Sequence, residues 1–434
     1  MTSSANDHRP QRPRQAPAHP APMAPRVRRP GRASLHALPP LAVALSALAL
    51  ISCVGAAGRP GAAGQSGGRS PAGPTTDASG SAGSPSAVTS PAALPNLTPA
   101  QKAGQRVIYS YSGLQPPATL LSWIRHGQVG GVIFFGGNIS SPAQIAGVIK
   151  QLDQANASAA NPLRAVPLLL MTDQEGGVVR RLPGRPFASE KQIGEEAHPA
   201  AAAKAAGTGA GQNLAGVGMN ANLAPVLDVY RTAGDFDDQF GRSYSTSPQV
   251  VSALGADFIK AQQATGVAAT AKHFPGLGAA SSTQDTDARP VTLNVGLHAL
   301  RTIDEYPYRA AIAAGVKLVM LSWAVYPALA RSTPAGLSSA VVNGELRDRL
   351  GFRGVTITDA LEAGALQAFG TTGHRATLAA RAGMDLILCS GQRASQGRLA
   401  RSALATALSS GALSASVFDA ALTRVIALRT GLRG

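Results

Sequence analysis

The chain has 434 residues, of which 44% are hydrophobic and 14% charged; it holds two cysteines and carries a formal charge of +16. That length accommodates one large domain with extensions, and two cysteines exclude a scaffold built on disulfides. The basic excess favours anionic surroundings such as lipid headgroups or wall polymers; nucleic acid is not expected as a partner, because no compact Lys/Arg cluster with interleaved aromatics follows the N-terminal region.

Residues 1–33 are rich in Arg and Pro and lack apolar periodicity. The apolar run from Leu41 to Ile51 is short for a bilayer span. Basic residues precede it and small residues follow, in the pattern of a secretory signal. Its end, Leu50-Ile51-Ser52-Cys53, resembles a bacterial lipobox, which implies lipidation at Cys53, a signal segment over 1–53 and an extracytoplasmic, membrane-anchored protein. An uncleaved anchor and an ordinary signal peptide are the alternatives, and the long basic stretch leaves room for a downstream start codon or a weak twin-arginine signal. Residues 1–52 hold seven Arg and one Asp, a net +6, so the remainder carries +10. Residues 54–96 are dominated by Gly, Ala, Ser, Pro and Thr without an aromatic. Such a segment cannot bury enough apolar surface to offset its ordering entropy, and it reads as a tether whose ends lie roughly 35 Å apart.

From residue 97 to 434 short apolar runs alternate with helical patterns. Strands are expected in QRVIYSY (105–111), VGGVIFFGG (129–137), AVPLLLMTD (165–173), GMNANLAPVLDV (218–229), GVAATAKHF (266–274), VKLVMLSWAVY (316–326), RGVTITDA (353–360) and GMDLILCSG (383–391). Between them, SPQVVSALGADFIKAQQATG places Val251, Leu254, Phe258 and Ile259 on one helical face behind a Ser-Pro start. Strands buried on both faces and separated by helices predict a parallel α/β sheet, and eight such units predict a (β/α)8 TIM-type barrel. An open doubly wound sheet is the competing architecture, but no Gly-x-Gly-x-x-Gly loop follows the first strand. In a barrel the chemistry sits at the C-terminal strand ends. Asp173 closes the third run, Asp228 the fourth, Lys272 and His273 the fifth, and Asp359 the seventh.

Three stretches carry further meaning: LLLMTDQEGGVVRRL (168–182), AKHFPGLG (271–278) and GFRGVTITDAL (351–361). The first sets a carboxylate at a strand end, able to accept a pair of sugar hydroxyls, before two glycines that permit close backbone approach. In this order and spacing they resemble glycoside hydrolase family 3, in particular its single-domain β-N-acetylglucosaminidases, over residues 97–434. The resemblance implies that Asp359 is the catalytic nucleophile and that Asp173 and Arg181 hold sugar hydroxyls. It assigns Lys272 and His273 to the same sugar, and Arg242, in the less closely matching FGRSYS, to the substrate as well. The nearby cations Lys272, Arg181 and Arg242 are expected to keep Asp359 ionised.

In these relatives the acid/base is a His paired with an Asp on the loop after the Lys-His motif. Here that loop reads AASSTQDTDARPVT and contains no His. With a two-residue insertion Asp285 and Asp287 align with the dyad, and Asp287 takes the place of the His. A carboxyl group serves as acid/base if its pKa is raised, which a second carboxylate two residues away does when the two come close. The competing reading is an ordinary acidic loop, with the acid elsewhere.

The function expected is a retaining exo-β-glycosidase that removes terminal N-acetylglucosamine, from peptidoglycan fragments. The alternatives are a family 3 enzyme for another hexoside and a non-catalytic sugar-binding wall lipoprotein. No cofactor and no metal are expected, since the eight His form no zinc-type spacing. Cys389 reads as core, and the protein as a monomer.

Overall fold

The computed structural model describes residues 95–432. The expected signal segment, Cys53 and nearly all of the tether lie outside the described residues.

Eight parallel strands form one sheet: β1 (Val107–Tyr109), β2 (Gly131–Ile133), β3 (Leu169–Thr172), β4 (Ala221–Asn222), β5 (Ala268–Phe274), β6 (Leu318–Leu321), β7 (Val355–Thr358) and β8 (Ile387–Leu388). Their spatial order, β8-β1-β2-β3-β4-β5-β6-β7, is the chain order rotated by one place. The Ile357–Leu386 bridge joins β7 to the approach of β8, with Leu386 N donating to Thr356 O at 2.9 Å and Thr358 N to Leu386 O at 3.0 Å. The eight-stranded barrel is thereby nearly closed, as the alternation of runs predicts.

Each strand lies inside an expected run and is shorter than it. The fourth run shrinks most, to Ala221–Asn222, because Pro225 has no N–H to continue the ladder; its carbonyl still accepts from Lys272 N. Period-two alternation divides the apolar residues between two cores. Ile108, Leu169, Met171, Met320 and Ile357 fill the barrel interior, whereas Val107, Tyr109, Leu170 and Val319 face the helical layer. Both faces are covered, which is why the runs are continuously apolar.

Helix α1 (Pro199–Ala215) packs on α2 (Pro248–Gln263). Ser247 caps α2 by accepting from Val250 N, and Pro248 sits in its first turn. Val251, Leu254, Phe258 and Ile259 are all buried. The Ala- and Gly-rich composition of α1 lets the backbones approach: a Cβ on Gly207 would collide with the backbone of Phe258. Among the described residues no helix is long and apolar enough to cross a membrane.

Candidate active site

A cavity of about 440 Å³ opens at the C-terminal face of the barrel. Eight residues singled out from the sequence line it, Asp173, Arg181, Arg242, Lys272, His273, Asp285, Asp287 and Asp359, whereas the strand-end Asp228 is not among its lining residues.

Its floor is a chain of alternating charges. Asp173 leaves β3 and accepts from Lys272 Nζ at 3.1 Å. Lys272, near the end of β5, also lies 2.7 Å from Glu175 Oε1. Glu175 takes both arms of the Arg242 guanidinium, Nε at 2.8 Å and Nη2 at 2.9 Å, while Nη1 donates to Asp237 at 2.9 Å. This fork geometry is the strong form of a charge-assisted pair. Burial would raise the Glu175 carboxyl, but Arg242 and Lys272 outweigh it and hold the group at about 2. Burial likewise opposes the charge on Lys272, and the Glu175 and Asp173 carboxylates overcome it, so its pKa rises and the ammonium stays charged. Arg181 Nε stands 4.0 Å from Asp173 Oδ2, beyond hydrogen-bond range, and faces the cavity.

Sequence reasoning missed Glu175, although a signal was present. It lies two residues after Asp173 on a short hairpin strand (Gln174–Gly176) paired with Val179–Arg180. Residues at i and i+2 of an extended segment share a side, and both of these meet Lys272.

His273 is buried and bound through Nδ1 to Asp228 Oδ2 at 2.7 Å. Asp228 Oδ1 accepts from the backbone N–H groups of Leu277 at 2.6 Å and His273 at 3.3 Å. Burial pushes the imidazole down to about 4, so His273 is neutral, Nδ1 carries the proton and Nε2 is left as an acceptor. Burial, opposed by Arg242 and reinforced by Asp228, raises Asp237 to about 7. Asp228, Asp237 and His273 are close enough to surround a cation. The His273–Asp228 hydrogen bond and the Asp237–Arg242 pair already use ligand atoms that such a cation would need. Asp237 sits in the loop DFDDQF, where no periodicity singles it out.

Asp359 directly follows β7 and accepts from Ala360 N at 2.7 Å. Burial and the neighbouring Asp287 raise its carboxyl to about 6, against the lowering effects of the Ala360 N–H and Lys272. A value of about 6 leaves the carboxyl ionised at neutral pH, although the cations do not hold it within the ordinary carboxylate range. Lys272 and Arg242 are already neutralised by Asp173, Glu175 and Asp237, so burial and like charge prevail.

The loop carrying Asp285 and Asp287 is tied to the segment that follows Asp359. Gly364 N donates to Asp287 O at 2.7 Å and Ala365 N to Thr286 O at 3.0 Å. A Cβ on Gly364 would collide with the Ala288 carbonyl, so glycine permits this approach. Asp287 N donates to Asp285 Oδ1 at 2.8 Å. Partial burial, then Asp285, then Glu362 push the Asp287 carboxyl above its ordinary value. Glu362, also missed from the sequence, lines the cavity three residues after Asp359.

Comparison with known proteins places this geometry in context. The model of the glycosyl hydrolase family 3 N terminal domain matches residues 100–428. A secreted glycosyl hydrolase of Arthroderma benhamiae, described as uncharacterized, is 46% identical over 349 residues, 80% of this chain and 97% of the relative. A β-hexosaminidase of Xanthomonas oryzae is 32% identical over 290 residues, 65% of this chain and 82% of the relative. The solved structure of a family 3 β-N-acetylglucosaminidase from a Paenibacillus species superposes with a TM-score of 0.73 at 36% identity. That match covers 78% of this chain and spans 64% of the Paenibacillus chain.

Proposed function

Because the chain belongs to glycosyl hydrolase family 3, we propose that it is a retaining, exo-acting β-N-acetylhexosaminidase that releases terminal N-acetylglucosamine. The observation that carries this reading is the pair of carboxyls, Asp359 and Asp287, both raised and facing one cavity over a floor of paired charges. Two carboxyls of separated protonation are what a double displacement at an anomeric carbon needs. The preference for an N-acetyl sugar is supported by the β-hexosaminidase and β-N-acetylglucosaminidase relatives.

The Ala360 N–H and Lys272 favour the anion at Asp359, whereas Asp285 and Glu362 disfavour it at Asp287, which suits Asp359 to attack as a carboxylate and Asp287 to donate a proton. Asp173, Lys272, Arg181 and His273 Nε2 hold the hydroxyls of the terminal sugar, with Glu175 and Arg242 fixing Lys272 and Asp237. An Asp359 oxygen forms a bond to the anomeric carbon as the glycosidic C–O bond breaks, and Asp287 gives its proton to the departing oxygen. The Asp287 carboxylate then takes a proton from water. The water oxygen bonds to the anomeric carbon, the ester to Asp359 breaks, and Asp287 is again protonated. A carboxylate base repels an incoming phosphate, so water is the acceptor.

The protein acts outside the cytoplasm as a monomer held to the membrane through a lipid on Cys53, a reading supported by the lipobox-like Leu50-Ile51-Ser52-Cys53 and by the secreted relative. Extracytoplasmic glycans that end in N-acetylglucosamine are the substrates that fit this location. A panel of 4-nitrophenyl β-glycosides tests the activity: the N-acetyl-β-glucosaminide is hydrolysed fastest. Binding of N-acetylglucosamine without hydrolysis of any member returns the sugar-binding reading, and a faster β-glucoside returns the other-hexoside reading.

A further inference from the structure

We propose that Glu362 sets the charge selectivity of the leaving-group side, favouring sugar leaving groups that are uncharged or carry an ammonium over those that carry a carboxylate. This rests on the glycosidase reading and names the class of its substrate: chitin-type oligomers of N-acetylglucosamine, fully or partly acetylated, rather than muramic-acid-bearing wall fragments.

The cavity is polarised. Lys272 and Arg242 lie on the floor and are matched by Asp173, Glu175 and Asp237, and its third cation, Arg181, stands 4.0 Å from Asp173. The acidic residues toward solvent are Asp285, half-buried, and Asp287 and Glu362, both exposed. Among the described residues none of these three enters an ion pair. The leaving oxygen belongs beside the acid Asp287, so the sugar attached to it passes between the acid loop and the loop holding Glu362. The hydrogen bond from Gly364 N to Asp287 O keeps these two loops in register.

Glu362 is also built in place. Its Oε1 accepts from Ser390 Oγ at 2.8 Å, and its Oε2 from Gln396 Nε2 at 2.8 Å and Ser390 N at 3.3 Å. An ionised carboxylate accepts about four hydrogen bonds, so one position on Oε1 remains for a hydroxyl, amide or ammonium hydrogen. A carboxylate on the incoming sugar offers no such hydrogen and meets like charge from Glu362 and Asp285. Arg375 lies near enough to sense the Glu362 charge, and its guanidinium donates to the carbonyls of Gly370 and Leu361, both at 3.0 Å. The +10 carried beyond residue 52 therefore draws the protein to anionic surfaces, while the mouth of its cavity turns anionic leaving groups away.

The test compares three disaccharides that share a β-linked terminal N-acetylglucosamine and differ in the second sugar: N-acetylglucosamine, glucosamine and N-acetylmuramic acid. At low salt the full-length protein is expected to show kcat/KM about tenfold lower for the muramic acid compound than for the neutral one, with the glucosamine compound at least equal to the neutral one. The gap should narrow to about threefold at roughly 0.5 M salt, where exposed charges are screened. Glu362→Gln should narrow the low-salt gap by about threefold. Equal rates on all three at low salt, while 4-nitrophenyl N-acetyl-β-glucosaminide is still cleaved, overturn this proposal alone. A wild-type gap insensitive to both salt and Glu362→Gln also overturns it. Failure to cleave the aryl glycoside as well overturns both this proposal and the activity beneath it.

Discussion

Replacing Glu175 with Gln tests the charge chain under the cavity. The side chain is 2% exposed and binds two cations. Its folded-state value of about 2 against an ordinary 4.5 corresponds to about 3 kcal/mol of stability at pH 7. Removing one member of a buried ion pair costs about 3–5 kcal/mol by a separate route, so the two magnitudes agree. For a domain of this size, with an unfolding entropy of roughly 0.7 kcal/mol/K, that is a fall in Tm of about 4–5 °C. The folded value lies below the unfolded one, so the stabilisation is complete above about 4.5 and is lost as pH falls toward about 2. Urea unfolding followed by circular dichroism should give a difference of about 3 kcal/mol at pH 7, shrinking to about 1 kcal/mol at pH 3, with unchanged m. A difference below about 1 kcal/mol at pH 7, or one that does not shrink in acid, refutes the assignment of Glu175 as the hub of the floor.

Asp287→Ala should slow disaccharides, whose leaving oxygen needs a proton, about 10²–10⁴-fold while slowing activated aryl glycosides far less, and azide should partly restore turnover of the aryl substrate; similar small losses on both without azide rescue place the acid elsewhere. In wild-type protein kcat/KM should fall as pH drops through about 6, because protonated Asp359 is no nucleophile. Cys53→Ala should abolish lipid labelling and membrane retention, and unchanged labelling would remove the proposed anchor.

The barrel was legible because burial on both faces leaves an unbroken apolar run for every strand, whatever the exact ladder. The strand ends were not: Pro225 cuts the fourth strand for want of one N–H, a local matter inside an otherwise apolar window. Asp173, Lys272, His273 and Asp359 could be read from strand-end position together with motif, and the fold brings them to one cavity with Asp285 and Asp287. Asp237 and Glu362 lie in loops whose course depends on tertiary contacts, so no spacing marks them. The upward shift of Asp359 was not legible for a related reason: a count of nearby cations leaves out the carboxylates that already neutralise them, of which Glu175 is the chief.

The central claim, a double displacement through Asp359, is tested most directly by following the anomeric proton of the N-acetylglucosamine released from an aryl β-glycoside by NMR during the first minutes, before mutarotation. The account predicts that the β-anomer appears first and the α-anomer grows in later. Initial release of the α-anomer would contradict it, because a single displacement by water leaves no covalent Asp359 intermediate.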